Sequence, residues 1–214
     1  MDLERTRQDL LLATLPHVVF DGWTLTALRA GAADAGLDQG TWMNAFPGGP
    51  AELIAAFSAW ADRRTLETLE TLDLDSMRVR DRIAAGVRTR LEILAPHREA
   101  VRRGLAFLAL PQNAALGVKC LYRSVDSLWY AAGDRATDYN FYSKRLLLAG
   151  VLSSTTVYWL NDRSDGAAQT WAFLDRRIDE VLKIGGRLGK VMGGLLNLPD
   201  RLMAARARSG AFRR

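Results

Sequence analysis

The feature that most constrains this chain is a series of apolar stripes at helical spacing. From Ala114 to Leu128, apolar residues follow one another at steps of four, three, four and three. Such spacing puts them on one face of an α-helix. Similar stripes recur along the chain, separated by Gly, Pro and Asp. The sequence therefore predicts an all-α protein, a bundle whose stripes face a common core.

Glycine, proline and helix-capping residues set the boundaries of the predicted helices. Gly residues follow several stripes, and Pro50, Pro96 and Pro111 each suit a helix start. The run Leu146–Leu152 is apolar nearly all round, which predicts a helix buried at the centre of the bundle. The predicted helices are 3–20, 24–35, 38–45, 51–73, 76–94, one starting at Pro96, one running from Pro111 to Gly133, one capped by Thr137 or Asp138, and one capped by Ser164 or Asp165.

Cysteine content and apolar run lengths limit the compartment. A single cysteine, Cys120, allows no internal disulfide and no cysteine-based zinc site, so a reducing compartment is the simplest fit. The N-terminus lacks the basic-then-apolar order of a signal peptide. The uncharged runs 104–118 and 146–160 are shorter than the ~20 residues a spanning helix needs. Both are predicted to be buried helices, and the protein is predicted to be cytoplasmic.

Charge is distributed unevenly. The first 60 residues carry a net charge of −4, whereas residues 183–214 carry +7. The apolar stripe of the last helix continues into this basic segment beside Lys183, Arg187 and Lys190, although five glycines weaken it as an isolated helix. A basic amphipathic segment is typical of contact with an acidic surface, either anionic lipid or nucleic acid.

The first three predicted helices have the lengths of a helix-turn-helix unit. Their turns and the segment Thr41–Phe46 resemble the start of TetR-type regulators, in which the third helix reads the major groove. DNA affinity comes largely from Lys and Arg facing phosphates. The helix at 38–46 contains neither, and Pro47-Gly48-Gly49-Pro50 stands where a basic residue commonly follows. The unit is therefore interpreted as a scaffold that binds no nucleic acid.

No catalytic or metal-binding pattern is present in the sequence. The two histidines, His17 and His97, are far apart and belong to no zinc or di-iron motif. Nucleotide-binding loops and nucleophile elbows are absent. Cys120 lies on an apolar stripe and is interpreted as a core residue, and Asp162 and Asp165 as helix-capping residues. The sequence predicts no enzyme, no cofactor and no metal.

One long segment closely resembles the COQ9 family of ubiquinone biosynthesis. It comprises residues 129–134 (WYAAGD), 137–151 (TDYNFYSKRLLLAGV) and 170–178 (TWAFLDRRI). The resemblance is strong over 110–182. It implies a TetR-like fold that has lost DNA binding and tends to form a homodimer. It also implies an apolar cavity for an isoprenoid quinone or phospholipid, support of a COQ7-type hydroxylase or an equivalent, and a C-terminal amphipathic helix on the membrane.

The resemblance assigns roles to residues of this chain and divides it into parts. The parts are a helix-turn-helix-like subdomain (1–49), a lipid-binding helical domain (50–182) and a basic membrane-contacting tail (183–214). The partner-binding residues would be Leu128, Asn140, Phe141, Tyr142, Lys144 and Arg145. The lipid-binding candidates are Leu121, Val125, Trp129, Leu147, Val151, Thr155, Tyr158, Trp171 and Leu174. The membrane-contacting candidates are Lys183, Ile184, Arg187, Leu188, Lys190, Val191, Leu195 and Leu198.

The resulting hypothesis is a lipid-binding accessory protein of ubiquinone biosynthesis, peripheral on the inner face of the membrane. It would bind a quinone intermediate and present it to a hydroxylase. Two alternatives come from other classes. A TetR-type ligand-responsive regulator would bind specific DNA, and a helical hydroxylase would bind a metal. The helix without basic residues and the two isolated histidines count against them.

Overall fold

The computed structural model describes residues 2–133 and the backbone of residues 140–196, with side chains over 143–183 in the second segment. Within these limits the chain is helical and contains no strand, as predicted. No single described helix is long and apolar enough to cross a membrane. One pair, Val79–Leu108 with Pro111–Ala131, passes that test only jointly and is bent by 99°.

The first three helices are α1 (Leu3–Asp21), α2 (Leu25–Asp34) and α3 (Gln39–Ala45). The side chains of the capping residues Asp2, Thr24 and Asp38 accept hydrogen bonds from backbone N–H groups in the first turns of α1, α2 and α3, respectively. Gly36 adopts φ of +66° just beyond α2, a conformation that favours glycine. The predicted boundaries of these helices are confirmed to within a residue or two.

The middle of the chain forms α4 (Gly49–Leu69), α5 (Val79–Leu94), α6 (Arg98–Leu108) and α7 (Ala114–Ala131). Pro96 and Pro111 lie in short 3-10 turns that lead into α6 and α7, as their positions predict. The predicted helix over 51–73 ends early, at Leu69. The hydroxyls of Thr71 and Ser76 donate to nearby carbonyls, and such local bonds compete with helical pairing.

The last two helices are α8 (Asn140–Asn161) and α9 (Ala168–Leu196), which pack against each other. Asp162 accepts bonds from Ser164 and from the backbone and hydroxyl of Thr170 at the start of α9. These bonds hold the pKa of Asp162 well below its usual range. Its predicted capping role is confirmed. The predicted caps Thr137 and Asp138 lie outside the described residues.

A continuous apolar core joins the helices, with Leu10, Leu53, Val87 and Val125 fully buried in it. The prediction that Leu146–Leu152 is buried all round is wrong for one face of α8. Leu148, Val151 and Leu152 are buried, but the side chain of Leu146 is 75% exposed. Helices α5, α7 and α9 cover only the other face of α8 within the described chain.

Candidate functional site

Helices α4 to α8 line a cavity of about 310 Å³ that opens to solvent. Leu105, Ala109, Ser153 and Val157 are the lining residues exposed to solvent, so the mouth lies between the C-terminal end of α6 and the middle of α8. The remaining walls are predominantly apolar. They are formed by Ile54, Phe57, Leu94, Ala100, Val101, Gly104, Leu108, Gly117, Leu121 and Leu152, with Thr156.

The cavity becomes polar at its inner end, where Arg90 from α5 meets α4 and α7. The Arg90 side chain is 10% exposed. Its Nη2 lies 3.0 Å from Asp62 Oδ1 and donates to Ser124 Oγ at 3.0 Å and, at 3.4 Å, to Ser58 Oγ. Arg90, Ser58, Ser124 and Cys120 line the cavity, and these four residues are called the polar floor.

Asp62 lies outside the cavity lining and forms ion pairs with both Arg90 and a second arginine, Arg123. Its Oδ2 accepts a bond of 3.2 Å from Arg123 Nε, while the Arg123 side chain is 41% exposed. Two guanidinium groups therefore face one carboxylate. Burial disfavours the charged form of both neighbouring groups. It lowers the pKa of Arg90, although Asp62 acts in the opposite direction, and it raises the pKa of the Cys120 thiol. The Cys120 thiol is thus kept in its neutral form.

A wider, open groove of about 1010 Å³ adjoins the cavity across α8. Ser153 and Val157 line both spaces, so they form the ridge between them. Tyr158 and Phe173 stack in the groove with ring centroids 4.4 Å apart. The rest of the groove is bordered by Ser154, Asn161, Asp162, Arg163, Ser164 and Gln169.

The nine predicted lipid-binding residues do not lie together. Leu121 lines the cavity and Tyr158 lines the groove. Four others are buried in the core and line neither space: Val125, Val151, Thr155 and Leu174. The remaining three are half-buried and also line neither: Trp129, Leu147 and Trp171. The sequence-based candidates did not include the cavity residues Ile54, Phe57 and Arg90, although Ile54 and Phe57 lie on the apolar stripe of α4.

The predicted partner-binding residues have varied surroundings. Leu128 is 3% exposed and packs against Gly86. Lys144 lies over the Trp129 ring at 5.8 Å. Arg145 is buried and its Nη2 lies 2.6 Å from Asp126 Oδ1. Three others begin α8, but their side chains lie outside the described residues: Asn140, Phe141 and Tyr142.

The predicted membrane-contacting residues belong to the second half of α9 and beyond. Lys183 is exposed on α9, as is its apolar neighbour Leu182. The backbone is helical through Leu196, with no break at the predicted domain boundary. Six predicted side chains of this helix lie outside the described residues: Ile184, Arg187, Leu188, Lys190, Val191 and Leu195. Leu198 lies outside them altogether.

The described side chains contain no group of three His, Cys, Asp or Glu residues that could hold a metal ion. His17 lies 2.6 Å from Asp34 and joins α1 to α2. His97 packs against the rings of Phe57 and Trp60, and burial lowers its pKa. Both histidines are therefore accounted for by packing and by a local polar contact.

The fold defines the chain as a TetR-like all-α protein. A solved structure, the TetR transcriptional regulator from Nitrosomonas europaea, superposes with a TM-score of 0.67, covering 82% of this chain and 97% of its own. The two sequences are 21% identical, so this likeness shows the fold alone. The predicted fold class is confirmed.

Sequence relatives define the family. Residues 114–185 match the COQ9 family model. The chain is 34% identical to a rat protein over 85% of its length and 32% identical to a Drosophila melanogaster protein over 89%. Both relatives are named "Ubiquinone biosynthesis protein COQ9, mitochondrial". The chain belongs to the COQ9 family, and it spans 60% of the length of these two relatives.

Proposed function

We propose that this protein is a lipid-binding accessory protein of ubiquinone biosynthesis. It takes one end of an isoprenoid quinone intermediate into the cavity between α4 and α8 and presents the molecule to a hydroxylase at a membrane surface. The observation that carries the proposal is the 310 Å³ cavity with apolar walls and a mouth open to solvent. Cavities of this size that combine apolar walls with a few polar groups are typical ligand sites.

The volume of the cavity limits how much ligand it can enclose. A water molecule occupies roughly 30 Å³ of liquid, so the cavity has room for about ten non-hydrogen atoms. This is enough for a substituted ring or two isoprene units, and too little for a whole polyprenyl quinone. The remainder of the ligand must leave through the mouth, where the groove over Tyr158 and Phe173 offers an apolar continuation.

Presentation requires a docking surface and a membrane contact. Trp129 and Lys144 lie together beside the start of α8, and the neighbouring Tyr130 is 70% exposed. Trp and Tyr are enriched among the residues that dominate binding energy at interfaces, which supports docking of the hydroxylase there with Phe141 and Tyr142. Exposed Leu182 and Lys183 begin the amphipathic part of α9 that would lie on anionic lipid. The N-terminal part of the uncovered face of α8, around the exposed Leu146, would pair with a second copy in a homodimer and leave the cavity mouth at Ser153 and Val157 open.

A cavity-filling substitution tests lipid binding directly. Ala100 lies on the cavity wall and is 1% exposed, so Ala100→Leu places three more carbons inside. The matched control is Ala106→Leu, an exposed position of α6 outside the cavity lining. Each protein is purified from membrane-containing cells, and its lipids are extracted and identified by mass spectrometry.

The wild-type and Ala106→Leu proteins should carry an isoprenoid quinone or a related lipid in near-stoichiometric amount. Ala100→Leu should carry several-fold less, because the added side chain occupies the ligand space. Equal lipid content in all three proteins, or none in the wild type, would contradict the proposal. Disruption of the gene should also lower the quinone content of the cell.

A further inference from the structure

We propose that Arg82 is a positioning residue for the docking of the hydroxylase. Its guanidinium holds the C-terminal end of α7, and with it Trp129 and Tyr130, in the orientation in which these side chains contact the partner. This inference rests on the proposed function, which puts the docking surface at these two aromatic residues. It adds the residue that fixes their position.

The guanidinium of Arg82 joins two separate parts of the chain through backbone carbonyl oxygens. Its Nε donates to Met77 O at 3.0 Å and its Nη2 donates to Asp75 O at 3.1 Å, both in the connection between α4 and α5. Its Nη1 donates to Ala132 O at 3.2 Å, directly after the last residue of α7. A guanidinium presents its donors in a fixed planar fork, so these bonds determine how the connection lies against the end of α7.

The end of α7 has two physical reasons to bind a cation. The last carbonyls of a helix have no partner within the helix, and the helix dipole places partial negative charge there. Arg82 Nη1 satisfies the carbonyl of Ala132 and brings its positive charge to this terminus. The next residue of α5, Ile83, is 6% exposed in the core and keeps α5 in place. Loss of the guanidinium is therefore expected to loosen the end of α7 and not α5.

Gly133 is a second and independent sign of this contact. It lies just beyond α7 with φ of +84°, a conformation that favours glycine. A Cβ added to Gly133 would lie 2.9 Å from Arg82 Nη1. The turn that follows Tyr130 is thus built around the Arg82 side chain, and a larger residue at position 133 would displace the guanidinium.

The aromatic residues of the docking surface depend on this end of α7. Tyr130 is 70% exposed, and its carbonyl accepts the N–H of Gly133 at 3.0 Å. Lys144 of α8 lies over the Trp129 ring at 5.8 Å. Both aromatic residues lie within three positions of the carbonyl that Arg82 binds, and neither they nor Arg82 line the cavity. A change at Arg82 should therefore alter docking and leave ligand binding intact.

The test measures the affinity of the full-length protein for the purified COQ7-type hydroxylase of the same organism by biolayer interferometry. Arg82→Lys keeps the charge but loses the planar fork, and Arg82→Met removes both the charge and the donors. The matched control is Arg98→Lys. Arg98 also donates to carbonyls at a helix end, those of Trp159 and Asp162, but at the opposite end of α8 from the docking surface.

Arg82→Lys should weaken hydroxylase binding about tenfold and Arg82→Met by more, the range expected when one interface hot spot is misplaced. Arg98→Lys should bind the hydroxylase as tightly as the wild type, although it loses the same type of bond. The quinone content of all four purified proteins should be equal, because Arg82 and Arg98 both lie outside the cavity lining.

Gly133→Ala provides a second route to the same contact. It should also weaken hydroxylase binding, and its combination with Arg82→Met should lose less affinity than the product of the two single losses, because both changes break one contact. Independent losses would contradict that shared contact.

Three outcomes separate this inference from the proposed function. Wild-type affinity in both Arg82 variants would overturn the inference and leave the proposed function standing. Equal losses in Arg82→Lys and Arg98→Lys would also overturn it, because a general loss of stability would then explain both. A wild-type protein that does not bind the hydroxylase would contradict the proposed docking, and the inference with it.

Discussion

The three N-terminal helices and the five helices that follow them differ in how closely they pack. Between α1 and α2 the backbones touch: a Cβ added to Gly31 would lie 2.6 Å from Thr14 Cα and 2.8 Å from its nitrogen. Helices α4 to α8 instead leave about 310 Å³ unfilled and place a buried arginine beside it.

This difference supports the placement of the proposed ligand site among α4 to α8. An open pocket with apolar walls costs stability, because its lining atoms lose packing contacts and stay in contact with water. The N-terminal unit has the TetR-like fold, but α3 (Gln39–Ala45) contains no Lys or Arg. We therefore expect the N-terminal helices to act as a compact scaffold, and the proposed ligand site lies in α4 to α8.

The largest effect is expected at the floor of the cavity. Arg90→Met leaves the Asp62 carboxylate buried, with only the half-exposed Arg123 beside it, and should lower the free energy of unfolding by about 3–5 kcal/mol. Chemical denaturation measures the loss. Adding Asp62→Asn should restore most of it. A double variant as unstable as the single one would show that packing, and not charge, holds this end of the cavity together.

The next largest effect tests the close approach of α1 and α2. Gly31→Ala forces a methyl group into the Thr14 backbone and should cost about 2–3 kcal/mol of unfolding free energy. Gly150 on α8 is the matched control, since nothing lies within 4 Å of a Cβ placed there. Gly150→Ala should be neutral or stabilising by about 0.5–1 kcal/mol. Equal losses of unfolding free energy in the two variants would contradict the claim that α1 and α2 pack unusually closely at Gly31.

A smaller change in the free energy of unfolding is expected for a substitution on the cavity wall. Ala100→Leu, on the cavity wall, should change the free energy of unfolding by less than about 1.5 kcal/mol, because its added carbons enter existing space. Thermal or chemical denaturation of lipid-stripped protein measures it. A loss comparable to that of Gly31→Ala would mean that the cavity is too narrow at Ala100 to accept the side chain.

A substitution in the third helix is expected to leave any affinity for nucleic acid unchanged. Asn44→Asp adds a negative charge to an exposed position of α3, where a DNA-reading helix would meet the duplex. Any duplex affinity, measured by fluorescence anisotropy at two salt concentrations, should be the same in the variant and the wild type, because only basic residues elsewhere could carry it. A clear drop in affinity would return the regulator hypothesis to consideration.

The sequence located most helices because their signals are local. Thr24, Asp38 and Pro50 lie at helix starts, and each acts through its own backbone neighbourhood. The same reasoning located the cavity less well. Val125 and Leu174 lie on apolar stripes, as Leu121 does, yet Leu121 alone of these three lines the cavity. A stripe identifies the inner face of a helix and not whether that face meets another side chain or an opening.

The sequence by itself determined the all-α class, the family, the scarcity of basic charge in α3 and the basic amphipathic end of the chain. Tertiary structure alone decided that Phe57, Arg90 and Leu152, on three different helices, border one space. It also decided that Arg90 is buried beside Asp62 while Arg123 stays half-exposed. A cavity is what non-local packing leaves unfilled, so its position depends on how several helices meet and cannot be inferred from the periodicity of any one of them.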